Sequence, residues 1–111
     1  MRLVWFVLAI QAFLYAASLG ETLFQGNCVT CHDEKKTLSA PAIQEVQASY
    51  RQAFPTQERF VASMATWVEN PNAKTALMPQ AIKKFGLMPL LGYDQESLEA
   101  IATFLYEKHF E

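Results

Sequence analysis

The sequence predicts an all-α fold, and three observations lead to this prediction. No segment alternates apolar and polar residues with the period of two that a half-buried strand requires. Proline, glycine and asparagine residues divide the chain into pieces of helical length. Within these pieces apolar residues recur at helical spacing, as at Phe60, Met64 and Trp67. Because the chain has no internal repeat and no low-complexity run, residues 19–111 are predicted to form one domain of about four to five helices.

Residues 1–18 are predicted to be a secretory signal peptide. Arg2 supplies the positive charge at its start, and the stretch that follows is free of charged residues up to Gly20. The small residues Ala16 and Ser18 favour cleavage after Ser18. The alternative is a retained anchor, because the charge-free stretch has nearly the length of a short membrane span. Export of the domain would place it in the periplasm.

Residues at the predicted boundaries set the limits of the helices. Thr56 and Asp94 are predicted N-caps, because their side-chain oxygens can accept hydrogen bonds from the first turn. Gly86 is predicted to end the helix before it. Lys108 and His109 are placed in the last turn of the final helix, where positive charges complement the helix dipole. The predicted helices cover about residues 19–27, 41–53, 57–69, 79–85 and 95–109.

Cys28 and Cys31 lie three residues apart, and His32 follows them directly. This spacing is typical of a covalent c-type haem attachment site. One helical turn can bring both thiols under the two vinyl groups of one porphyrin edge, while the imidazole reaches the iron as proximal ligand. The sequence therefore predicts one covalently bound haem c per chain.

Three other uses of the same residues fit the sequence less well than haem attachment does. A redox pair of the thioredoxin type would need a βαβ context, which the flanking sequence lacks. A zinc site could combine Cys28, Cys31 and His32 with His109, but the usual spacing between two histidine ligands is missing. A disulfide between the cysteines would close too short a loop to stabilise the fold much, and would leave His32 unexplained.

The size and charge of the domain agree with a bound cofactor and exclude one class of partner. So small a domain has a marginal core of its own, and a haem would add a large apolar surface for the chain to bury. We therefore expect the apoprotein to be largely unfolded. The chain has nine Lys and Arg residues against eleven Asp and Glu residues. Because they form no basic stripe, nucleic acid is excluded as a partner.

Fixed intervals outside the cysteine motif point to a family. Gly20 and Phe24 stand eight and four residues before Cys28, and Phe104 lies in the final predicted helix. With these residues the chain resembles a class I cytochrome c of the small bacterial monohaem type over nearly all of residues 19–111. The resemblance implies helices wrapped around one haem, with the N-terminal and C-terminal helices crossing at Gly20, Phe24 and Phe104.

The resemblance also implies the rest of the iron environment. Pro41, nine residues after His32, matches the family's proline whose carbonyl accepts the proximal histidine's Nδ1 proton. The family places a distal methionine in a loop before the last helix. Met78 and Met88 are both candidates, because each precedes a proline. Met88 fits the position best, because it follows the helix-ending Gly86 and precedes the last helix by a short loop, and Met78 is the runner-up. The segment from residue 71 to 92 is longer than the family's simplest loops.

A haem iron held by histidine and methionine has no open position, which implies electron transfer rather than catalysis. We expect a soluble, monomeric periplasmic one-electron carrier, and not an enzyme. Its redox partners would be a donor such as a cytochrome bc complex and an acceptor such as a terminal oxidase or reductase. Two alternatives stay open: a membrane-anchored cytochrome subunit of a larger oxidoreductase, and a five-coordinate haem sensor or peroxidase-like protein.

Overall fold

The computed structural model describes residues 19–110, and within this range the regular secondary structure consists of helices alone. Residues 19–27 are helical and are named α1. The later elements are α2 (Ile43–Ala53), α3 (Gln57–Glu69), a 3₁₀ turn (Ala73–Thr75), α4 (Pro79–Phe85) and α5 (Gln95–Glu107). The absence of strands over residues 19–110 confirms the predicted fold class. The predicted signal peptide lies outside the described residues, and none of the described helices is long and apolar enough to cross a membrane.

Two predicted caps mark the starts of the two longest helices. The Thr56 hydroxyl oxygen accepts a hydrogen bond from the Arg59 N–H at the start of α3, over 3.4 Å. The Asp94 carboxylate accepts a shorter one, 2.9 Å, from the Ser97 N–H at the start of α5. Both residues have extended backbone angles, as N-caps require. The bonds satisfy amide groups that the first turn of each helix leaves without a helical partner.

The predicted start of α2 needs a correction. The helix begins at Ile43 rather than at Pro41, and its N-cap Ala42 has no side-chain oxygen to cap it. The backbone carbonyl of Asp33 accepts a hydrogen bond from the Ile43 N–H (2.8 Å), and that of Glu34 accepts one from the Gln44 N–H (3.0 Å). The loop that follows the cysteine motif therefore caps α2 and keeps Pro41 outside the helix.

The core lies between α2, α3 and α5, with the most extensive packing between α3 and α5. Phe60 of α3 is completely buried, and its ring lies 5.9 Å from that of Tyr50 and 5.1 Å from that of Tyr106, both in edge-to-face geometry. Such aromatic pairs add to the free energy gained from burial alone. Burial also raises the pKa of the Tyr50 hydroxyl to about 12.

The first and last helices of the described chain cross at Gly20. A Cβ atom added at this residue would overlap the carbonyl oxygen of Ala100 and lie 3.1 Å from the Cβ of Phe104. Glycine therefore allows a contact between the helix backbones that no other residue would permit without a shift. One turn further along α1, the rings of Phe24 and Phe104 lie 5.7 Å apart, and Phe24 is fully buried.

The end of α5 differs from the prediction. The helix ends at Glu107, Lys108 is its C-cap in an extended conformation, and His109 lies beyond it and is exposed. The last turn therefore contains no basic residue. The physical reason is that side chains of α2 take the terminal carbonyl groups of α5, so that the helix does not continue.

Candidate functional site

The cysteine motif continues the path of α1 as a turn. The backbone N–H of Cys28 donates to the carbonyl of Phe24 (2.9 Å), and the N–H of His32 donates to the carbonyl of Cys28 (2.9 Å). Cys28 and Cys31 are both free thiols; Cys28 is half-buried and Cys31 is exposed. Burial raises the pKa of the Cys28 thiol to about 11. This thiol is therefore protonated at neutral pH, unlike the activated thiolate of a redox-active pair.

His32 is oriented by a single backbone contact. Its Nδ1 atom lies 2.8 Å from the carbonyl oxygen of Pro41. A carbonyl can only accept a hydrogen bond, so Nδ1 carries a proton, and in the neutral ring Nε2 is then the nitrogen with the free lone pair. A histidine held in this tautomer presents Nε2 as a metal ligand with a fixed ring orientation.

The loop after His32 is held by its own backbone. The Asp33 carboxylate accepts hydrogen bonds from the N–H groups of Lys35 (3.0 Å) and Lys36 (2.8 Å), and these bonds lower the pKa of that carboxyl group. The backbone carbonyl groups of Asp33 and Glu34, in the same loop, cap the start of α2. Together these bonds fix the path of the chain between His32 and Pro41.

Gln47 ties α2 to the end of α5, and sequence reasoning missed it. It is the one buried polar side chain among residues 19–110, at 8% exposure. Its amide nitrogen donates to the carbonyl oxygens of Leu105 (2.8 Å) and Lys108 (2.7 Å). Arg51, one turn later, donates to the carbonyl of Tyr106. The available signal was the position of Gln47 between Ile43 and Tyr50, on the apolar face of α2.

An ion pair links the end of α5 to the loop after His32. Lys108 Nζ lies 3.1 Å from Glu34 Oε1, and both side chains are partly exposed. The loop therefore touches α2 through its carbonyl groups and α5 through this pair. The loop next to His32 is thus bonded both to the start of α2 and to the end of α5.

One apolar cavity collects the predicted ligands. Cys28, Cys31 and His32 line it, and so do Met78 and Met88 from the segment before α5. Most of its other lining residues are hydrophobic and come from every helix of the described chain. The structure therefore brings all five residues to one space, and it does not separate Met78 from Met88.

The segment from residue 76 to 93 forms one side of the cavity. Met78 is the N-cap of α4, and Met88 lies in the loop after that helix. Gly86 and Gly92 have φ angles of +84° and +79°, a region that favours glycine. Gly86 ends α4, as predicted. The loop that carries Met88 is therefore bounded by two residues whose backbone other amino acids would adopt only under strain.

The model of the family described as Cytochrome c matches residues 17–107 of this chain. The chain belongs to the cytochrome c family. It is also similar to an uncharacterized protein of Aquifex aeolicus strain VF5, with 29% identity over 133 aligned positions that cover 98% of this chain and 88% of the relative. No solved structure gives a significant match. Membership implies that this cytochrome c binds haem c, and cytochromes c are in general electron-transfer proteins.

The residues of the cavity fit that cofactor. Two thiols three residues apart, an imidazole with Nε2 available and two thioether side chains are the donors that a c-type haem requires. The apolar lining suits the porphyrin plane. In the described part of the chain, no group of three or more His, Cys, Asp or Glu residues is arranged to hold a metal ion, so His109 does not complete a zinc site with the cysteine motif.

Proposed function

We propose that this cytochrome c is a soluble periplasmic one-electron carrier with one covalently attached haem c per chain. The observation that carries the proposal is the shared cavity, where the cysteine motif, the oriented His32 and two thioether side chains meet. Haem iron supplies a redox couple that takes up and gives back a single electron. The residues around it determine whether anything other than an electron can reach the metal.

The residues proposed to hold the haem have different roles. Cys28 and Cys31 hold the cofactor through thioether bonds and so prevent its loss. His32 binds the iron through Nε2, while the Pro41 carbonyl keeps the ring in place and raises its strength as a donor. Met88 would hold the iron through its thioether sulfur together with His32. An iron held by both residues would have no open site for a gas or for peroxide.

Partners and location follow from this role. An exported carrier exchanges electrons with a membrane-bound donor such as a cytochrome bc complex and with an acceptor such as a terminal oxidase or reductase. We propose that it acts as a monomer. Cleavage after Ser18 leaves it soluble in the periplasm, whereas retention of residues 1–18 would make it an anchored subunit.

The covalent attachment is tested on the exported protein. We expect haem stain in a denaturing gel of the periplasmic fraction to coincide with the chain, because thioether bonds do not depend on the fold. Cys28→Ser and Cys31→Ser should each strongly reduce the yield of stained protein, while Ser39→Ala, a change on the same cavity, should not. Extraction of all haem from the wild-type protein by acidified acetone would disprove covalent attachment. A stained band in the membrane fraction that retains residues 1–18 would favour the anchored subunit.

Carbon monoxide binding distinguishes an electron carrier from a haem sensor. A filled distal position should make the ferrous protein resist carbon monoxide at neutral pH and give the ferric protein a sulfur-to-iron charge-transfer band. Both are read from the absorption spectrum of the purified protein. Rapid carbon monoxide binding together with the absence of that band would identify a five-coordinate haem sensor or peroxidase-like protein instead.

A further inference from the structure

Two methionines of one segment line the cavity that His32 also lines. Met78 immediately precedes α4, Met88 follows it in a loop, and each stands before a proline. A third methionine on the same cavity, Met64, differs from both. It lies inside α3, is 5% exposed and belongs to the buried core. The cavity therefore has one methionine fixed by core packing and two that belong to a connecting segment.

The helix α4 lies between Met78 and Met88, and both residues line the same cavity. Its seven residues span about 10 Å, so the two methionines stand near its opposite ends. Ala81, Ile82 and Phe85 of α4 line the cavity, whereas Lys83 and Lys84 are exposed. One apolar face of α4 thus borders the cavity along its length.

The backbone on either side of α4 is not part of the packed helical core. The helix pairs that pack most extensively among α2 to α5 are α3 with α5, α2 with α3 and α2 with α5, and α4 belongs to none of them. Among the described residues, no side chain between positions 76 and 93 is hydrogen-bonded to another. The backbone carbonyl of Met78 accepts hydrogen bonds from the N–H groups of Ala81 and Ile82, but the thioether side chains of Met78 and Met88 are not held by a hydrogen bond.

The two side chains are chemically equal as ligands. A thioether is soft, binds without losing a proton and brings no charge. Iron that is bound by His32 on one side offers a single distal position, so the two sulfurs compete for it. A second sulfur tethered to the same short segment has a high effective concentration at that position.

On the basis of the proposed function, we propose that Met78 is a reserve distal ligand of the haem iron. When the sulfur of Met88 is absent from the iron, the sulfur of Met78 takes the position and keeps it closed. The distal side thus has two alternative thioether ligands, and loss of the first does not open the site to small molecules.

Substitution by leucine tests this proposal, because leucine keeps the volume and apolar character of methionine but cannot bind iron. Met88→Leu, Met78→Leu and the double variant are compared with Met64→Leu as a packing control. The measurements are the sulfur-to-iron band of the ferric holoprotein, its reduction potential and carbon monoxide binding by the ferrous form. Circular dichroism shows that each variant is folded.

We expect Met88→Leu to keep the band at a shifted position and to change the potential, because a different sulfur is bound. Met78→Leu and Met64→Leu should match the wild-type spectrum. Only the double variant should lose the band, and each single variant should bind carbon monoxide roughly a hundredfold more weakly than the double variant does, because the tethered sulfur competes.

Three results would overturn the proposal. Loss of the band in Met88→Leu alone, with carbon monoxide binding equal to that of the double variant, would show that Met78 does not replace Met88. Loss of the band in Met78→Leu alone would make Met78 the single ligand. A double variant that keeps the band would place the ligand elsewhere. A wild-type protein without the band would instead refute the proposed carrier function, so the two failures are distinguishable.

Discussion

The two sides of the cavity are built in different ways. On the proximal side, His32 is bonded to Pro41, the loop between them caps α2, and Gln47 joins α2 to the end of α5. On the distal side, no side chain of residues 76–93 is hydrogen-bonded within the described part of the chain. Asn72 accepts hydrogen bonds a few residues before this segment, and Asp94 accepts one directly after it.

From this difference we infer that the proximal and the distal residues of the cavity have different roles. Bonds between parts of the chain determine the orientation of the proximal histidine, so its position depends little on the distal ligand. The distal segment presents its residues to the cavity through α4 and through the loop bounded by Gly86 and Gly92. Leu87 and Leu91 of this segment also line the cavity, whereas Leu90 is exposed. We therefore expect that the identity of the bound sulfur can change there without a change of the fold.

The largest effect on stability is expected from Gln47→Met, which keeps the side-chain length but removes the donor. The carbonyl groups of Leu105 and Lys108 would each lose a partner at the end of α5. Leaving two such groups unsatisfied costs about 2–4 kcal/mol. Denaturant unfolding of the holoprotein measures this loss.

Two matched variants show whether the loss belongs to the proximal side. Glu34→Gln removes only the partly exposed ion pair with Lys108 and should cost at most about 1 kcal/mol, less at high salt. Leu90→Ala, in the exposed part of the distal segment, should change the free energy of unfolding by no more than about 0.5 kcal/mol. A loss in Gln47→Met no greater than in these two variants would contradict the contrast between the two sides.

The sequence was most informative where local rules decide the structure. The caps at Thr56 and Asp94, the helix end at Gly86 and the close approach at Gly20 each depend on one residue type with few alternatives. The family match over residues 17–107 agrees with the resemblance that was based on the cysteine motif and a few intervals.

The remaining features depend on contacts between residues that are distant in the chain. The start of α2 is set by carbonyl groups of the preceding loop, and the end of α5 is set by Gln47, 58 residues before Leu105. No local pattern contains these partners. The choice between Met78 and Met88 is of a third kind, because both satisfy the same local and spatial requirements and only the bound iron can distinguish them.

A smaller, pH-dependent effect is expected at Asp94, where the distal segment ends and α5 begins. Hydrogen bonds from the Ser97 side chain and from the Ser97 N–H favour the ionised carboxylate and lower the pKa of Asp94 below its ordinary value of 3.8. A carboxyl group with a lowered pKa in the folded state stabilises that state fully at pH values above its unfolded pKa. The contribution is lost as the pH falls through the lower, folded-state pKa.

We therefore expect Asp94→Ala to lower the melting temperature at pH 7, and the difference from wild type to shrink as the pH falls below about 4. Asp94→Asn is the matched control, because asparagine caps a helix about as well as aspartate does but does not titrate. Its melting temperature should lie near that of wild type at pH 7, and its difference from Asp94→Ala should change little with pH.

Since Asp94 lies at the far end of the loop from Met88, the sulfur-to-iron band should remain in both variants. A constant difference between Asp94→Ala and wild type from pH 7 to pH 3 would show that the cap is not a titrating contact. Loss of the band in Asp94→Ala would show instead that distal ligation depends on this anchor, and the two sides of the cavity would then be less independent than their hydrogen bonds indicate.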